Sequence, residues 1–187
     1  MTETEYLNFE KNNEIRHEYV NGRVYAMSGA ELNHNIINSN ANTILNSQLF
    51  GQPCVVMSSN MRLKVDSKHV SYRYPDTMVI CGDVAFDDNT EQTVTNPVVI
   101  IEVLSLSTAL KDYNEKLAEY TQIESLQAYL LISQYEAKVE VFSRQDDGWK
   151  YTLITGLDAR IELASINCTI DLARLYDKVD FGNKKED

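Results

Sequence analysis

A mixed α/β fold, with a central strand covered by helices on one or both faces, follows from three features of this sequence. An Asn-Gly hairpin leads into a long amphipathic helix over residues 31–49. Short apolar runs of strand length come next. Finally, the aliphatic run 98–104 is joined through a helical segment to a second apolar run at 128–133, the order of a strand, a crossover helix and a further strand.

In chain order, residues 4–12 read as a short helix or an extended lead-in. Residues 16–27 are two extended arms around Asn21-Gly22, the strongest short-range hairpin signal, and predict a type I′ turn. Leu32, Ile36, Ile37, Ala41, Ile44, Leu45 and Leu49 recur at helical spacing, and Gly51 and Pro53 close that helix. Strands are expected at 54–58, 61–65 and 77–81, and the polar segment 83–96 as a surface loop. After the run 98–104, Ser105, Ser107 and Thr108 offer cap oxygens for a helix over 109–122, with Leu110, Tyr113, Leu117 and Tyr120 on one face. A hairpin pairs 138–143 with 149–154 around residues 145–148, a last short strand falls at 160–163, and 169–176 reads as a short helix before a charged tail.

The 187 residues suffice for one sizeable core, so a single domain over 1–187, with its core about 14–176, is expected. Cys54, Cys81 and Cys168 form no CxxC and cannot all pair, which reads as core filler in a reducing compartment. The acidic start Met1-Thr2-Glu3-Thr4-Glu5-Tyr6 has no apolar stretch, so neither a leader nor a membrane span is expected and the cytoplasm is the simplest location. A formal charge of −11 counts against a polyanionic partner unless a basic strip or a bound cation faces it. Arg62, Lys64, Lys68, His69 and Arg73 form the most basic segment, and each taken singly reads as a solvated charge.

Glu102 is the anomaly. An ionised carboxylate inside an aliphatic strand costs several kcal/mol unless it is paired, protonated, turned to a cleft or bound to a metal. Asp76 begins a strand 26 positions earlier, and two carboxylates on neighbouring strands make a hard oxygen site suited to Mg²⁺ or Mn²⁺. Asp112 and Lys116, at i and i+4, share one helical face, with Ser105 and Glu102 at its N-terminal end. No G-x-S-x-G, P-loop, dinucleotide fingerprint, H-E-x-x-H or zinc spacing occurs, and His17, His34 and His69 are too few for a His-rich metal site.

Tyr74-Pro75-Asp76, then Pro97-Val98-Val99-Ile100-Ile101-Glu102-Val103-Leu104-Ser105, then Ser107-Thr108 and Asp112-x-x-x-Lys116-x-x-x-Tyr120 stand in a telling order. Together with Glu18-Tyr-Val-Asn-Gly-Arg-Val-Tyr-Ala-Met27, Ser28-Gly29-Ala30 and His34, they resemble the Uma-type family of the PD-(D/E)xK nuclease superfamily, across positions 14–142. The resemblance implies a restriction-endonuclease-like core, a central mixed β-sheet flanked by helices with an N-terminal hairpin and long helix. It implies an Mg²⁺-dependent DNA endonuclease in which Asp76, Glu102 and the backbone carbonyl of Val103 bind the metal and Glu18 is a third acid. The superfamily's lysine normally stands two residues after the second acid, where this chain has Leu104. Lys116 on the next helix takes its place, to orient or activate the attacking water. His34, Asp112 and Ser105 are accessory candidates, and a homodimer would suit a nuclease that cuts both strands.

Each residue also has a plainer reading. Asp76 after Pro75 serves as a turn residue, Lys116 as a surface partner of Asp112, Glu18 as a solvated strand residue, His34 as a structural histidine, and Tyr113 and Tyr120 as core residues. Leu104 and the net charge also fit a catalytically silent binding or regulatory module on the same fold.

Overall fold

The computed structural model of the chain describes residues 1–27, 29–87, 90–105 and 112–182. Helix α1 (Glu3–Lys11) starts at a capping box in which the Thr2 hydroxyl accepts from the Glu5 amide while the Glu5 carboxylate accepts from the Thr2 amide. Strands β1 (His17–Val20) and β2 (Arg23–Ala26) meet at Asn21-Gly22, whose φ values of +46° and +82° are the pair a type I′ turn requires. Helix α2 (Leu32–Leu49) buries Ile37, Ala41, Ile44, Leu45 and Leu49 of the stripe its periodicity predicts, while Ile36 is half-buried and Leu32, at the first turn, is exposed, and Gly51 follows the helix at φ +76°.

Next come β3 (Cys54–Ser58), β4 (Arg62–Asp66), β5 (Val70–Arg73), β6 (Thr77–Cys81), β7 (Thr93–Val94) and β8 (Val99–Leu104). A π-helical turn, Asp112–Lys116, runs into the short helix α3 (Leu117–Tyr120). Strands β9 (Ala128–Ser133), β10 (Lys138–Gln145), β11 (Gly148–Thr155), β12 (Arg160–Leu163) and β13 (Cys168–Asp171) then lead to the short helix α4 (Leu172–Leu175).

One sheet has six strands in the order β11-β10-β9-β8-β6-β3 and a second has five in the order β2-β1-β5-β4-β7, with β12 and β13 forming a separate pair. Strand β8 lies inside the larger sheet, parallel to β9 and antiparallel to β6, and all six of its residues are buried. Its period-two alternation divides the core. Val99, Ile101 and Val103 pack with α2 and the C-terminal segment, whereas Ile100 and Leu104 pack with Leu63, Val65, Tyr120 and Tyr129. Glu102 shares the face of Ile100 and Leu104, toward α3. Among the described residues no helix is long and apolar enough to cross a membrane.

Several expectations are corrected. The stretch 169–176 is not one helix: Cys168–Asp171 pairs with β12, leaving four residues for α4. Strand β5 was not expected either, because Val70–Arg73 is only four residues long, nor was β7, whose fully buried Thr93 and Val94 lie inside the segment 83–96 expected as a surface loop. Nor are all the cysteines thiols. The β3–β6 register sets Cys54 opposite Cys81, with Cα atoms 4.0 Å apart, and a disulfide joins them, while Cys168 is free and buried. Arg62 and Arg73 are buried, not solvated, the former against Thr93 Oγ1 at 2.8 Å and the latter among carboxylates. The expected helix start, with Ser107, Thr108 and Leu110, lies outside the described residues, as does Ser28.

Candidate active site

The β6–β8 register builds the site. Thr77 pairs with Ile101, so Asp76, one residue before β6, falls beside Glu102 and Val103. Asp76 Oδ2 accepts the Val103 amide at 2.8 Å and lies 3.1 Å from His34 Nε2. Pro75 limits the chain to an extended approach, which suits a carboxylate delivered at a strand end.

Glu102 projects toward α3, where Lys116 Nζ donates to its Oε1 at 2.8 Å and the Tyr120 hydroxyl at 3.1 Å. The same ammonium stands 3.0 Å from Asp112 Oδ1 and 3.7 Å from Glu18 Oε1. The turn between Asp112 and Lys116 is π-helical, a geometry that often marks functional positions, and both residues are buried. Glu18, in β1, is held from behind by Arg73 Nη1 at 3.0 Å, and Arg73 makes a two-pronged contact with Glu119 at 2.9 and 2.8 Å. The fully buried guanidinium is thus satisfied on both sides.

Protonation follows from this burial and from the charges packed into it. Burial pushes the Glu102 carboxyl up to about 8; Lys116 counters part of that rise, and Asp112 and Asp76 add to it. For Lys116, burial alone disfavours the ammonium, but Glu102, Glu18 and Asp112 outweigh it and hold the amine charged well above its ordinary range. Burial likewise raises the Tyr120 hydroxyl, so it serves Glu102 as a neutral donor.

These groups open on a cavity of about 520 Å³ between the hairpin, the start of α2 and the ends of β6 and β8. Asp76, Glu102, Lys116, Glu18, Asp112, Val103, Ser105 and His34 all line it, so these eight candidates lie around one cavity. Two details differ from expectation. Lys116 is a buried member of the cluster and not a surface partner of Asp112 alone, and the contact Val103 makes with Asp76 is through its amide. Sequence reasoning missed Arg73 and the bond from Tyr120. Tyr120 stands four residues after Lys116, on the same helical face, and that spacing was the available signal.

A divalent cation fits the donor set. Among the described residues no three or more His, Cys, Asp or Glu side chains form a ready-made cage. Mg²⁺ does not need one, since it is commonly held by one or two carboxylates together with water and phosphate oxygens. Asp76 Oδ1 and Glu102 Oε2 accept no hydrogen bond from the described residues. Burial first, and then the neighbouring Asp112 and Asp76, disfavour the bare Glu102 carboxylate, and a bound cation would offset both.

The sequence model of the Uma2 family, described as "Putative restriction endonuclease", matches residues 4–173. Two uncharacterised proteins of Synechocystis are similar to the chain. One is 37% identical over 165 residues, spanning 88% of this chain and 93% of its own length, and the other is 31% identical over 172 residues, spanning 92% and 89%. A crystal structure from Anabaena variabilis, described as "a putative nuclease belonging to DUF820", superposes with a TM-score of 0.76 at 19% identity, covering 95% of this chain and 98% of that one. The likeness shows a shared fold, the restriction-endonuclease-like mixed sheet.

Proposed function

This chain belongs to the Uma2 family, and from that premise we propose that it is a metal-dependent endonuclease hydrolysing phosphodiester bonds in DNA. The observation that carries the reading is the convergence of Lys116 on Glu102, at 2.8 Å, in the cavity that Asp76 also lines. Asp76 and Glu102 hold Mg²⁺ or Mn²⁺, with the Val103 carbonyl as a further oxygen donor. The bound cation supplies charge neutralisation at the scissile phosphate and a more acidic water. Lys116 keeps a fixed positive charge at the cavity wall, where it balances the phosphate and orients the attacking water. Glu18 and Asp112 keep that amine charged and in place, and Ser105 lines the same cavity.

Six carboxylates line the cavity, those of Glu14, Glu18, Glu31, Asp76, Glu102 and Asp112, and the whole chain carries −11. A phosphodiester therefore enters only together with cations. A pair of chains about a two-fold axis would bring one such cavity to each strand of a duplex. The net charge also favours a second reading, a silent module that binds through the same fold without cleaving.

Cleavage of a panel of single-stranded, duplex and nicked DNA, with Mg²⁺ or Mn²⁺, tests the first reading. Wild type is expected to cut in a chelator-sensitive way, and Glu102→Ala to abolish cutting while its circular dichroism stays native. Wild type inert on every substrate with both metals sinks the endonuclease. Mn²⁺ calorimetry separates the second reading, because a silent module gives no binding that responds to Asp76→Ala.

A further inference from the structure

His34 comes from the first turn of α2, distant in sequence from β6 and β8, yet its Nε2 lies 3.1 Å from Asp76 Oδ2. That oxygen is also the one accepting the Val103 amide at 2.8 Å. The imidazole side chain is only 13% exposed, and its Nδ1 is buried without a hydrogen-bond partner. A proton on Nδ1 would be an orphaned buried donor and would set a bare Nε2 lone pair against the carboxylate. A proton on Nε2 avoids both and lies on the Asp76 side of the ring, where Oδ2 is 3.1 Å away. The Val103 amide and the His34 imidazole thus approach the same oxygen of Asp76 from two different elements, while Oδ1 accepts nothing from the described residues.

We propose that His34 is a positioning residue for Asp76: together with the Val103 amide it pins Oδ2 and dedicates Oδ1 to a divalent cation. The inference rests on the metal-dependent reading above and adds how the first acid is held. A carboxylate fixed at one oxygen binds through the other with a defined direction, as the strict octahedral geometry of Mg²⁺ demands. Without the imidazole, the carboxylate is anchored by one amide alone and turns about it.

The test uses the full chain, with Mn²⁺ as the probe. His34→Ala is expected to weaken Mn²⁺ binding about 10- to 100-fold by calorimetry. His34→Gln, whose amide nitrogen takes the place of Nε2–H, is expected to restore most of the affinity. Where alanine does not fold, His34→Phe keeps the ring and removes the donor. A second readout involves no metal: hydrogen exchange at the Val103 amide should accelerate in His34→Ala, as in Asp76→Ala. Mn²⁺ affinity within twofold of wild type in the donor-less variant, or unchanged Val103 exchange, overturns the proposal. Wild type that binds no Mn²⁺ overturns the metal site itself, and the Val103 amide then decides whether His34 holds Asp76.

Discussion

Lys116→Met removes one charge and nearly preserves the length of the side chain. In the folded protein that charge faces Glu102 at 2.8 Å, Asp112 at 3.0 Å and Glu18 at 3.7 Å. At an effective dielectric constant near 20, a contact of this length gives about 6 kcal/mol of Coulomb energy before the cost of desolvation is set against it. Glu102 can shed its charge by taking a proton, since its carboxyl is already pushed up to about 8. Asp112 is 1% exposed and has no other cation among the described ion pairs. The expected loss is about 3–5 kcal/mol, the usual result of stranding a buried charge. In a chain of this size that lowers the melting temperature by roughly 6–20 °C. A double-mutant cycle with Glu102→Gln, read by urea unfolding, isolates the pair, and the coupling should exceed about 1.5 kcal/mol. Additivity within about 0.5 kcal/mol would refute the idea that Lys116 and Glu102 form one electrostatic unit.

The remaining expectations use the same variants. In the metal-free protein, Glu102 has a raised folded-state pKa, so its contribution is complete below about pH 4.5, the unfolded value, and is lost as pH rises through about 8. Glu102→Gln should flatten the fall in melting temperature between pH 5 and 8, and an unchanged slope would count against a desolvated carboxyl. Millimolar Mn²⁺ should raise the melting temperature of wild type and leave that of Asp76→Asn unmoved, because only a ligand bound to the native state shifts it. Reducing the Cys54–Cys81 disulfide, which spans 27 positions, should cost about 3.5 kcal/mol by chain entropy, and Cys54→Ser/Cys81→Ser should no longer respond to reductant. Arg73→Met removes the buried guanidinium that Glu18 and Glu119 share and is expected to destabilise the fold by about 3 kcal/mol, the cost of breaking a buried ion pair, in thermal unfolding.

What could be read from the residues was mostly local. Asn21-Gly22 specifies its turn by backbone chemistry alone, and α2 declares itself by period. Glu102 stood out because a carboxylate among Val, Ile and Leu has no cheap explanation, and it proves to be the point where the cluster meets. What escaped depended on register and distance. Cys54 meets Cys81 only once β3 is aligned with β6, and Arg73 finds Glu119 across 46 positions. A lone arginine in a basic stretch gives no hint of acids folded in from elsewhere. Lys116 was reached through the family's ordering of motifs, since nothing in the spacing of a helix says which of its lysines will be buried. The π-helical turn that carries it left no mark in the periodicity.

The disulfide gives the larger sheet a direction. Strand β3, at one edge, is stitched to β6, and β6 is entered through Asp76. The opposite edge, β11, is joined to β10 by its ladder, by the Tyr151 hydroxyl donating to Glu140 Oε2 at 3.1 Å and by Arg144 over the Trp149 ring, and it exposes about half of Tyr151 and Leu153. Strand β11 can therefore part from β10 without any covalent restraint, whereas β3 cannot leave β6 while the disulfide is intact.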